Sequence, residues 1–93
     1  MSASRVFSGV TIELVERIKQ VARDEHGVRF DPDDGPTGLA TGQTPFGECV
    51  VRFAHRGAQA AIVLTLLKKP MLLPAEVLWT AFKEEIDRCR GLI

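Results

Sequence analysis

An excess of charge of either sign is missing from this 93-residue chain, in which 12 lysines and arginines balance 12 aspartates and glutamates. Nucleic-acid binders carry a basic excess or a basic face. Lys68-Lys69 and Arg88/Arg90 are too few and too scattered to form one, so no nucleic-acid partner is expected. Cysteine is scarce, with two residues. With no secretory hydrophobic region in the chain, the expected location is the cytoplasm, with reduced thiols. No apolar run approaches the ~20 residues a membrane span needs, so no membrane partner is expected. Repeats, linkers and low-complexity tracts are also lacking, and residues 1–93 read as one domain. A chain of this size buries roughly 60–68% of its unfolded surface. An apolar content of 45% argues against disorder.

Signatures of metal and phosphate chemistry are missing too. His26, His55, Cys49 and Cys89 show neither C-x-x-C nor H-x-x-x-H spacing, so no metal site is expected. The acidic run from Asp31 to Gly35 opens like a calcium loop, but its twelfth position is Gly42 rather than Glu; it reads as an acidic turn. Gly42 is followed by Gln43-Thr44-Pro45, without the Lys and the helix N-terminus that a phosphate loop requires. Cys49 and His55 are roughly 20 Å apart along one strand, beyond the reach of a catalytic dyad. No nucleophile, base and orienting group come together, and no cofactor is implied.

What is present is a β-hairpin over residues 48–67. With Arg56-Gly57 at a tight turn, Phe53 pairs with Ala60, Val51 with Ile62, Cys49 with Leu64 and Val50 with Val63. Side chains alternate across a strand. One face then carries Cys49, Val51, Phe53, Ile62, Leu64 and Leu66, with His55 at its rim. The other carries Glu48, Val50, Arg52, Ala54, Val63, Thr65 and Leu67. An apolar face and a mixed face are the mark of an antiparallel sheet covered on one side.

Before the hairpin, residues 1–7 read as a frayed lead-in. A helix follows, capped by Ser8 or Thr11 and running to about residue 25 or 26. Leu14, Val15, Ile18, Val21 and Ala22 form its apolar stripe, and Gly27 supplies the left-handed terminator. Residues 28–31 form a short strand. Residues 33–46, rich in glycine and proline, read as a flexible loop, with a very short extra strand at Leu39-Ala40-Thr41 as the variant reading. A last helix starts at Pro74 or Ala75 and ends near Arg90, burying Leu78, Ala81, Phe82, Ile86 and Cys89. The expected fold is α+β: a two-layer sandwich in the order α-β-β-β-α, with two helices on one face of a three- or four-stranded antiparallel sheet. Phe53, Ile62, Leu64, Phe82 and Ile86 are its expected core.

Three residues attract a ligand-binding reading. Glu85 falls inside the apolar stripe of the last helix, where a carboxylate must be paired or neutral. Trp79 flanks that stripe, and His55 rims the apolar sheet face. Val50, Val63 and Leu67 give the other sheet face an apolar centre in a polar frame, the anatomy of a contact patch. The leading expectation is a non-catalytic interaction or assembly module that homodimerises through this patch. The alternative is a small-molecule-binding or enzymatic domain whose site lies between the 33–46 segment and the last helix.

Overall fold

The computed structural model describes residues 3–32 and 35–91. It is an α+β fold with two helices and one five-stranded antiparallel sheet. In chain order the elements are β1 (Ala3–Ser8), α1 (Ile12–His26), β2 (Arg29–Asp31), β3 (Thr37–Thr44), β4 (Gly47–Arg56), β5 (Ala61–Lys68) and α2 (Ala75–Arg90). The strands lie side by side in the order β1-β5-β4-β3-β2. No helix among the described residues is long and apolar enough to cross a membrane.

Two strands replace segments expected to be irregular. Residues 3–7 of the supposed lead-in belong to β1, which pairs with β5 from Ala3↔Leu66 to Ser8↔Ala61; residues 1 and 2 lie outside the described residues. Most of the supposed loop is β3, paired on one side with β2 and on the other with β4, while residues 33 and 34 lie outside the described residues. Among the glycines that suggested mobility, Gly38 serves close approach instead. A Cβ added at Gly38 would stand 2.9 Å from the Asp31 carbonyl oxygen, closer than a Cβ sits to backbone, and 3.2 Å from the Phe53 ring, which would have to give way. The sheet therefore has five strands rather than three or four, and the chain order is β-α-β-β-β-β-α.

The hairpin forms with a different register. Phe53 opposes Leu64, Val51 opposes Leu66 and His55 opposes Ile62. The turn is wider than Arg56-Gly57 alone: a 3-10 turn over Gly57–Gln59 is followed by Ala60 in the left-handed region at φ 46°. Its position is held from outside the hairpin, because the Val10 amide donates to the Ala60 carbonyl at 2.7 Å. Phe53 meets a residue four places further along β5 than expected. Four is even, so the side chains from Val51 to His55 and from Ile62 to Leu66 keep their expected faces. The proposed Val50–Val63 pair is lost, however. Val63 opposes Ala54 on β4 and Val6 on β1, and Val50 opposes Lys68 across an irregularity that leaves Leu67 out of the ladder. Four residues of strand, about 13 Å, now separate the level of Val50 from that of Val63.

The helices follow their local signals. The Thr11 hydroxyl, rather than Ser8, caps α1 by accepting from the Leu14 amide, and Gly27 ends it at φ 63°. Pro74 sits at the cap position of α2. Leu14, Val15 and Val21 of α1 join Phe53 and Ile62 of the sheet and Ile86 and Cys89 of α2 in one buried cluster. Leu78 and Trp79 of α2 join Cys49, Val51 and Leu66 in a second. Both helices thus cover the face that carries Cys49, Val51, Phe53, Ile62 and Leu66. Among the expected core residues, Phe53, Ile62 and Ile86 are buried, whereas Leu64 and Phe82 are only half-buried. The space beside those two is the candidate site.

Candidate functional site

Between the helical layer and the sheet lies a cavity of about 370 Å³. Side-chain size explains its position. Ala22 of α1, Ala81 of α2 and Ala40 and Gly42 of β3 all line it, and each brings little bulk where a leucine would close the gap. Phe30 and Phe53 form part of the floor, and Phe82 and Leu64 turn their unburied surface toward it. Phe30 and Phe53 meet edge to face at 5.9 Å, a favourable ring geometry that keeps both aromatic faces in place.

Polar groups are few among the lining residues, and they sit on different elements. Lys19, Gln43, Thr44, Glu85 and His26 all contribute. Lys19 is 2% exposed. Its ammonium donates to the Gly35 carbonyl at 2.8 Å and lies 5.0 Å from the centre of the Phe53 ring, so the buried charge has both a hydrogen bond and an aromatic face against it. Lys19 was not singled out from the sequence, although the signal was there. It stands four residues after Val15 and three before Ala22, inside the apolar stripe of α1.

Glu85, chosen from its place on the α2 stripe, does line the cavity, and it is ion-paired. Its carboxylate accepts from Arg88 at 2.7 Å and stands 3.8 Å from the His26 ring. Arg88 also reaches Glu25 at 3.2 Å, so one guanidinium ties the end of α1 to α2 beside the cavity. The hydrogen bonds that Arg88 donates to Glu85 and then to Glu25 hold its proton more firmly than in free arginine. The Cys89 thiol, 3.9 Å from Glu85, is pushed up by burial first and by the Glu85 charge second. Cys49 lines the cavity, and burial pushes its thiol up as well. Both cysteines are free.

The other two expected ligand residues are elsewhere. Trp79 lies one layer behind the cavity, its ring 5.7 Å edge-on from Phe82, 6.5 Å from Phe7 and 5.5 Å from the Arg5 guanidinium. His55 has a fastening position: its Nε2 is 2.7 Å from the Val10 carbonyl. A carbonyl only accepts, so this nitrogen carries the proton. Together with the Val10 amide bond to Ala60, it fixes the β1–α1 connection to the hairpin end. The structure therefore brings Glu85 to the cavity and leaves Trp79 and His55 outside its wall. Val50, Val63 and Leu67 are not part of this cavity either.

The cavity offers shape, apolar area and a few polar groups already bonded within the protein. This is the composition of a binding site. Among the described residues, no three His, Cys, Asp or Glu side chains converge as metal ligands would. No family model, curated protein or solved structure matches the chain.

Proposed function

We propose that this domain binds a small, uncharged, mainly apolar molecule between its helices and its sheet. The cavity of about 370 Å³ carries the reading. Pockets for small ligands begin near 300 Å³, and a cavity of about 150 Å³ lined by apolar side chains accepts benzene. By proportion, the ligand has roughly 15 non-hydrogen atoms. Its body meets Phe30, Phe53, Phe82 and Leu64, and its one polar group meets the Gln43–Glu85 side. An ionised carboxylate on the ligand is disfavoured there, because it would face Glu85.

Thermal unfolding with naphthalene derivatives and medium-chain alcohols tests this directly. A probe at a hundred times its dissociation constant stabilises by about 2.7 kcal/mol, equivalent to roughly 10–20 °C for a domain of this size. Trp79 emission should respond as well, since Phe82 touches both the cavity and the indole. Ala81→Trp places a large ring where the alanine lines the cavity, and it should abolish the shift while the protein remains folded by circular dichroism. A panel of such probes that moves neither the melting temperature nor the emission rejects the reading.

A further inference from the structure

The two edges of the sheet are built differently. The β2 edge is protected: it has three residues, exposed Arg29 and Asp31, and Pro32 immediately after. Short length, charge and proline are the usual guards against strand addition. The β1 edge lacks the first and the last, and its charges lie at its margins: Arg90 of α2 donates to the Ser8 carbonyl at 3.1 Å, at the far end of the strand. β1 has six residues paired to β5 without interruption, contains neither lysine nor proline, and is the terminal strand of the sheet. The strand's own charge does not guard it. Arg5 is turned toward the helices, where it donates to Glu76 at 2.8 Å and lies against Trp79. Val6, on the opposite face beside Val63, is 65% exposed.

We propose that a second copy of this chain pairs along β1, antiparallel, about a two-fold axis at Val6. The arrangement is self-complementary. Val6 meets Val6 of the partner subunit, each Ser4 meets a Ser8, and each Arg5 meets a Phe7, so no like charges oppose one another across the new ladder. A two-fold axis normal to the sheet keeps inner faces together. The product is a continuous ten-stranded sheet with all four helices on one side. It buries the most exposed valine of the sheet and satisfies the outward amides and carbonyls of β1, which a monomer leaves to water. This interface differs from one made by the Val50, Val63 and Leu67 face, and it leaves the cavity open.

The two interfaces respond to different variants. Sedimentation of the full chain over a wide concentration range should show a dimer. Val6→Lys places two ammonium groups opposite each other at the axis and should give a monomer of unchanged helix content. Ala54→Lys, on the same outer face but two strands inside the edge, should remain dimeric. Hydrogen exchange adds a reading of the backbone: consecutive β1 amides from Arg5 to Phe7 should all be protected at high concentration, but only alternate ones in Val6→Lys. The proposal is overturned by wild type that is monomeric at high micromolar concentration, including one that adds a foreign extended peptide instead. A dimer that survives Val6→Lys, or one that Ala54→Lys dissociates, overturns it equally.

Discussion

Phe53 and Phe82 are the same residue type in two environments, and the difference is measurable. Phe53 is 4% exposed and is enclosed by α1 and the sheet, so Phe53→Ala should cost about 3–5 kcal/mol. Both rings line the cavity, but Phe82 is only half-buried and has fewer neighbours to lose. Its truncation enlarges an existing void rather than opening a new one, and Phe82→Ala should cost clearly less than Phe53→Ala in denaturant titration. Equal costs would mean that the ring is packed on all sides. Cys49 gives the cavity a chemical reporter. Burial raises its thiol above the ordinary range, so the reactive thiolate appears at higher pH than in an exposed cysteine. Alkylation should be slow at neutral pH, accelerate only as pH rises past the usual thiol range, and slow again when a ligand fills the cavity. Cys89, fully buried and absent from the cavity wall, should not respond to that ligand. Rapid neutral-pH labelling of Cys49, or labelling indifferent to the ligand, contradicts this placement.

Among the elements, the helices were the most legible and β1 and β3 the least. Thr11, Gly27 and the apolar stripes act within a few residues of themselves, so local sequence carries them. The β3 segment, TGLATGQT, has no such local signal. It is a strand because β2 and β4 lie on either side of it, and Gly38 lets the Asp31 backbone and the Phe53 ring come close. Amides near Ala40 and Thr41 should therefore exchange slowly, in contrast with a mobile loop. Fast exchange throughout residues 37–44 would return the segment to that status. At the site, Glu85 was found because a carboxylate interrupts an apolar stripe; the same interruption by Lys19 was equally visible.

At the scale of the whole molecule, the proposed binding sets the cavity's volume against stability. Replacing Ala22 by Leu should fill part of the void and raise unfolding stability by about 0.5–2 kcal/mol, while removing the thermal response to ligand. Destabilisation in denaturant titration would show that the space cannot accept a side chain from α1. The sequence alone determined which residues face the helices and which face away between Val51 and His55 and between Ile62 and Leu66, because strand periodicity is two and survives any even change of register. It also determined the extent of the last helix and the end of the first, through stripes and end signals that act at short range, but left the start of the first open between Ser8 and Thr11. Only the tertiary structure decided the register, since it depends on a turn held by Val10, some fifty residues earlier in the chain. The tertiary structure likewise decided that β1 and β3 are strands, because a strand's hydrogen bonds are supplied by its neighbours. The cavity belongs to that same level: Ala22, Ala40 and Ala81 are unremarkable in their own elements, and leave a void only because three elements bring them together.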